Sequence, residues 1–534
     1  MAKVELNVGA LGRVEGDLDV KVLLEDNVVV DAWTEASMFR GFEIILKGKD
    51  PQAGLIITPR ICGICGGSHL TKAVYALDTA WRTEVPPNAH LVRNIAQACE
   101  TLQSIPRWFY ALFGISLVNK NYAKSPLYGE AVKRFAPFVG TSYELGVAVS
   151  GKPVEIYAMF GGQWPHSSFM VPGGVMCAPT LSEVTRSLAI LEYYRTEWLE
   201  PVLLGCSIER WLENKTWEDI LAWIDESPDH ANSDLGFFLR YSMDIGLDRY
   251  GQGTGTFLSC GAFWEPEYYR FPTIEGRNKA LIKRSGVWDG REWHDFDQAN
   301  IFEDHTHSFY ETSGMRHPFE GETIPIDPDV GKKKGKYSWA KSPRYKIGEE
   351  YLPMEVGPLA SQVVAGRPGS EKHQNYDPLM FNVIQKIGPS VMTRVLGRLH
   401  EAPKYFKWVM EWIGRLDLHD EFYIKPTEHP EGQGYGGTEA ARGALQDWIK
   451  IKDGKIESYQ VVTPTAWNIG PRDAKGHHGS IEKAMIGATI VDPEDPVELG
   501  FVAHSFDSCL VCTVHAYDAK THKKLSQFRF GAAC

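Results

Sequence analysis

Arg60-Ile-Cys62-Gly-Ile-Cys65-Gly-Gly-Ser-His69 near one end of the chain is answered by Asp507-Ser-Cys509-Leu-Val-Cys512-Thr-Val-His515 near the other. Two cysteines separated by two residues present both sulfurs to one point, and thiolate is a soft donor that selects zinc, copper(I), nickel or iron–sulfur units. Because 444 positions separate Cys65 from Cys509, the pairs meet only if the whole fold closes on them, which puts their metal at its centre. Zinc ribbons keep their pairs about 15–20 residues apart. Spacing alone leaves structural zinc, an iron–sulfur cluster and a catalytic metal open, and a buried central site suits catalysis better than stapling.

The 534 residues include 43 % hydrophobic and 12 % aromatic residues with 16 Trp, and no biased tract interrupts them. Such a chain folds, as about two to four units sharing a large interior. A net charge of −12 argues against a nucleic-acid surface, which needs a basic face. No stretch reaches the roughly 18 apolar residues of a membrane span. The start, Met1-Ala-Lys-Val-Glu, lacks the apolar core of a secretory signal. The expectation is a cytoplasmic chain, or one held at a membrane by partner subunits. Nine cysteines, odd in number and thinly spread, indicate metal or thiol use rather than disulfides. Cys99, Cys177, Cys206 and Cys260 have no paired spacing and read as buried small apolar residues.

Outward from the cysteine motifs, residues 3–36 alternate apolar and polar around Asp26-Asn27, predicting an antiparallel hairpin. Leu91, Ile95, Ala98, Leu102 and Ile105 form a helical stripe, and Thr180-Leu-Ser-Glu183 is a capping box. Residues 230–345 read as irregular with short strands. A helical stretch over 375–415 is punctuated by Pro378, Pro389 and Pro403, and Asp453-Gly454 joins two strand patterns. The fold class is therefore α+β: a β-rich part at 1–60, a helical core at 61–230, a mixed insert at 231–373, helices at 374–430 and a β-rich part at 431–515. Residues 516–534 follow as a tail.

The two cysteine motifs, with Arg13-Val-Glu15-Gly, Gly41-Phe-Glu43, Gly161-Gly-Gln-Trp-Pro-His166, Trp339-Ala-Lys-Ser-Pro343-Arg344, Glu355-Val-Gly-Pro-Leu, Glu439-Ala-Ala-Arg-Gly-Ala and Tyr459-Gln-Val-Val-Thr-Pro-Thr465, resemble the large subunit of nickel–iron hydrogenases. The match runs almost from end to end. Its details point to uptake enzymes of aerobic bacteria, the high-affinity actinobacterial type among them. The resemblance implies that Cys62, Cys65, Cys509 and Cys512 bind nickel, and that Cys65 and Cys512 bridge to an iron carrying carbon monoxide and cyanide. Heterolytic splitting of H2 needs a metal for the hydride and a base for the proton. The base is expected at the Cys509 sulfur or at the guanidine of Arg344, beside Pro343, and arginine's weak acidity favours an electrostatic role for the latter. Glu15 is expected to carry the proton onward.

The same resemblance places Asp507 and His69 in support of the pocket, has Thr465 donate to a cyanide, and assigns Glu43 and His515 to a second metal, magnesium or iron. A small iron–sulfur subunit is implied as partner, in a heterodimer within a larger oligomer, passing electrons from H2 to quinone or another acceptor. The alternative is a hydrogen-sensing subunit with low turnover. The residues beyond His515 resemble a maturation tail and favour the enzyme. Three departures stand out: Ser104 where many members have Asp, Asp17 in the first motif, and Ser508 where proline is common. None removes a metal ligand.

Overall fold

A computed structural model describes residues 3–9, 11, 13, 18–268, 277–311 and 314–509. Small antiparallel sheets stand at both ends of the chain, and between them helices predominate with further short sheets over 170–352, an α+β architecture as expected. Strands Lys3–Val8, Leu18–Glu25 and Val28–Ala36 form the first sheet. Its turn residues Asp26 and Asn27 take left-handed φ values of 53° and 63°, which short polar side chains tolerate. Leu18, Val20, Val22 and Leu24 all point inward. Near the other end, Gly432–Ala440, Gly443–Lys452 and Lys455–Val462 make a second three-stranded sheet, with Asp453-Gly454 as the hairpin turn.

The helix Gly66–Trp81, which starts immediately after Cys65, lies on strand 432–440. The approach is possible because the strand carries glycine where it is closest. A Cβ on Gly434 would fall 1.9 Å from the Ala76 carbonyl oxygen, and one on Gly436 would fall 1.9 Å from that of Lys72. From the same helix Lys72 forms an ion pair with Asp447 on the neighbouring strand, both side chains wholly buried, and Tyr459 donates its hydroxyl to the same carboxylate. A buried pair of this kind is costly to break, about 3–5 kcal/mol when one partner is removed. It ties the first cysteine motif to the C-terminal sheet.

The capping box at Thr180 opens helix Leu181–Tyr194. Two features differ from the sequence pattern. Pro403 does not end a helix but lies within Val391–Gly414, whose packing on several neighbours outweighs one lost backbone hydrogen bond. Helix Pro87–Pro106 is buried from Asn88 onward rather than on one stripe, because helices Lys152–Gly161, Val391–Gly414 and Thr141–Ser150 surround it. Of the four unpaired cysteines, Cys99 and Cys260 are buried as expected, but Cys206 is only half-buried and Cys177 is exposed. No described helix is long and apolar enough to cross a membrane.

Candidate metal centre

Cys62, Cys65 and Cys509 come together from opposite ends of the sequence, buried, with sulfurs all within 4.8 Å of one another. The Cys62 and Cys509 sulfurs are 3.5 Å apart. A short 3-10 turn, Thr58–Ile61, delivers Cys62 in extended backbone. The loop then folds back so that the N–H groups of Ile64 and Cys65 donate to the Cys62 sulfur at 3.3 and 3.4 Å. Cys65 sits at the N-terminal cap of helix 66–81. The His69 N–H donates to the Cys65 carbonyl at 3.1 Å. Its ring is buried, and desolvation followed by the Lys72 charge holds the imidazole neutral, against the opposing pull of Cys509.

The second motif is reached through helix Val497–Ser505. Asp507 turns the chain at φ 53°, and the Cys509 N–H donates to the Thr465 hydroxyl oxygen at 3.0 Å. Thr465 therefore positions the cysteine backbone and keeps its own proton for another acceptor. The Asp507 carboxylate is held between two buried guanidiniums, Arg442 at 3.1 Å and Arg398 at 2.9 Å. Arg442 also donates to the Asp507 carbonyl at 3.1 Å, and Arg398 stacks on Trp108 at 4.4 Å. Burial works against the charge on Arg442, but Asp507 and the sulfurs of Cys509, Cys65 and Cys62 outweigh it and hold the guanidinium protonated. Its Nη1 is buried with no hydrogen-bond partner among the described residues.

Arg442, not Arg344, is the arginine in the field of the sulfurs, which corrects the expectation from sequence. Arg344 lies in strand Ser342–Ile347. Its guanidinium is spent on Asp473 at 3.1 Å and on the carbonyls of Pro343, Pro471 and His477 at 2.9, 3.1 and 3.1 Å. Pro343 therefore serves that buttress rather than the cysteines. Arg442 stood in the sequence within Glu439-Ala-Ala-Arg442-Gly-Ala. The signal was present, but nothing local marks which arginine reaches the sulfurs.

Glu43 is buried in an oxygen-rich cluster. Lys341 Nζ lies 2.9 and 3.1 Å from its two carboxylate oxygens, 3.3 Å from Glu303 and 2.7 Å from the Gln460 side-chain oxygen. The Val461 N–H and the Thr323 hydroxyl also donate to Glu43. Burial pushes the Glu303 carboxyl up to about 7, with Lys341 opposing and Glu43 adding to the shift. Carboxylates and carbonyl oxygens fit a hard cation such as magnesium, and Lys341 supplies the positive charge here. Glu15, Cys512, His515 and residues 516–534 lie outside the described residues.

A buried set of thiolates gathered from both ends of a chain, with a charged guanidinium beside it, defines a protein built around a soft metal ion. The donor chemistry fits nickel, and the sulfurs are close enough to share one ion. Residues 40–127 and 142–515 match the family described as nickel-dependent hydrogenase. The periplasmic NiFeSe hydrogenase large subunit of Desulfomicrobium baculatum is 33 % identical over 97 % of this chain and 96 % of its own. Hydrogenase-1 large chain of Escherichia coli (strain K12) is 30 % identical over 96 % and 94 %. The solved structure of the H2-activated D. baculatum NiFeSe hydrogenase superimposes with a TM-score of 0.75 at 30 % identity, covering 96 % of this chain and 100 % of that one. The chain belongs to the nickel-dependent hydrogenase family, as a catalytic large subunit that acts on H2 at a nickel–iron centre.

Proposed function

We propose that this subunit works in the direction of H2 oxidation and hands its electrons to an iron–sulfur partner subunit, the two forming a heterodimer within a larger assembly. Cys62, Cys65, Cys509 and Cys512 would hold nickel, and Cys65 and Cys512 would also hold an iron carrying carbon monoxide and cyanide. When bound, the metal pair supplies the electron-accepting half of H2 cleavage. The chain's own groups handle the proton. The Cys509 sulfur takes it, and Glu15 receives it and passes it outward. Arg442, fixed by Asp507, stands beside the sulfurs as a permanent charge that favours anionic states of the site. Thr465 orders Cys509 and offers its hydroxyl proton to a cyanide, while neutral His69 stays close to the sulfurs.

Glu43, together with His515, is the candidate for the second metal, magnesium or iron. Residues 516–534 are read as a tail removed after nickel loading, so the nickel-loaded subunit is expected to have an intact mass ending at His515. A mass ending at Cys534 would refute this. The observation that carries the functional reading is the meeting of Cys62 and Cys65 with Cys509 beside the Arg442–Asp507 pair. Nickel analysis together with H2-dependent dye reduction by the purified complex tests it. Nickel and turnover should be lost together in Cys62→Ser, and an active complex without nickel would end the proposal.

A further inference from the structure

An acid that no step above uses faces the end of the helix that begins after Cys65. Glu100, on helix 87–106, is almost completely buried, and its carboxylate faces the first turn of helix 66–81. It accepts the N–H of Gly67 at 2.7 Å, the N–H of Ser68 at 2.9 Å, the Ser68 hydroxyl at 2.7 Å and the indole N–H of Trp164 at 3.3 Å. Burial leaves the carboxyl raised on balance, although all four of these groups donate and oppose the shift. A carboxylate satisfies four donors and a carboxylic acid does not, so the ionised form is the one this nest fits.

The approach has been made room for. A Cβ on Gly67 would lie 2.7 Å from the Glu100 oxygen and 2.6 Å from Tyr157, so any other residue would push the acid away from the helix end. Trp164 in turn carries the Arg107 guanidinium over its ring at 5.7 Å. The result is a negative charge on the amides of Gly67 and Ser68, placed against the positive end of the helix that Cys65 caps.

We infer that Glu100 is a positioning residue that sets the electrostatic environment of the metal centre from the Cys65 side, by cancelling the helix end and lowering the potential at which the centre is reduced. In a buried, low-dielectric site a charge at the helix end is poorly screened. The inference rests on the nickel reading above. It differs from the role of Arg442, which acts from the opposite sign of charge and from the Cys509 side.

The test is a redox titration of the nickel electron paramagnetic resonance signals in the purified complex, with nickel content measured on the same samples. Glu100→Gln keeps size and loses charge, and should move the nickel midpoint to more positive potential at undiminished nickel content. Trp164→Phe removes one donor from the carboxylate and should move it to more negative potential. Opposite shifts support the proposal. Unchanged midpoints in both nickel-loaded variants overturn it, as does a shift of the same sign in both, which would indicate only a disturbed loop. If Glu100→Gln fails to load nickel, the sign of the Trp164→Phe shift decides. A wild-type complex without nickel would instead refute the functional reading.

Discussion

Two arginines illustrate what a residue's sequence context can and cannot tell. Arg344 and Arg442 both stand in motifs of the family, and both are fully or almost fully buried, yet one braces a strand and the other faces the sulfurs. The difference arises from partners more than a hundred positions away for Arg344 and 65 for Arg442, which no local pattern encodes. Arg442→Lys would keep a charge but lose the planar fork that grips Asp507 at two points. By analogy with removing one preorganised donor, H2-dependent dye reduction should fall by about 10²-fold while nickel content is retained. Arg344→Lys should lower the melting temperature and leave turnover per nickel unchanged. A reversed pattern would return the role to Arg344. The convergence of Cys62, Cys65 and Cys509 was legible because ligand spacing is a local signal, whereas Glu100 was not. Its helix reads as an apolar stripe, and the burial of the polar residues between the stripe positions comes from packing on all sides.

At the scale of elements, hairpin turns and caps were readable where two or three residues decide the backbone, as at Asp453-Gly454 and Thr180. The mounting of helix 66–81 on strand 432–440 was not readable, since glycines in a strand pattern mark a close approach without naming what approaches. Gly436→Ala would put a methyl into the Lys72 carbonyl, and a destabilisation of about 3 kcal/mol is expected, seen as a lower melting temperature and poorer nickel retention. Normal stability in that variant would mean the strand can move away at little cost. Helix 497–505 adds a pH-dependent element. Burial pushes Glu498 up to about 7 from 4.5, with only partial compensation from hydrogen bonds that include the Tyr122 hydroxyl. The folded state thus binds the proton more tightly than the unfolded one, so this group costs nothing below pH 4.5 and its penalty grows to about 3 kcal/mol as pH rises through 7. Glu498→Gln should leave stability at pH 4.5 nearly unchanged and raise it at pH 8. Parallel unfolding curves for the two proteins across that range would contradict the assignment.

At the scale of the whole molecule, the ends of the chain converge because buried polar links tie the N-terminal sheet to helix Ser480–Met485, the cysteine helix to the C-terminal sheet, and segment Arg107–Phe113 to helix Val497–Ser505. The Thr34 N–H reaches Glu482 at 3.1 Å, Lys72 reaches Asp447, and the Trp108 indole reaches the His504 carbonyl at 3.0 Å. This gathers three cysteine sulfurs at one site. Among the described residues the remaining cysteines are isolated, and the only cysteine group with ligand geometry is the one at the centre. An iron–sulfur relay requires several clustered thiolates, and in the function proposed above the partner subunit supplies them. The nickel-loaded subunit purified alone should therefore reduce a soluble viologen with H2 far more slowly, per nickel, than the complex with its iron–sulfur partner, and adding the partner back should restore the rate. Equal rates for the isolated subunit and the complex would show that the centre discharges directly to solvent-borne acceptors, and the partner would then lose its place in the reaction.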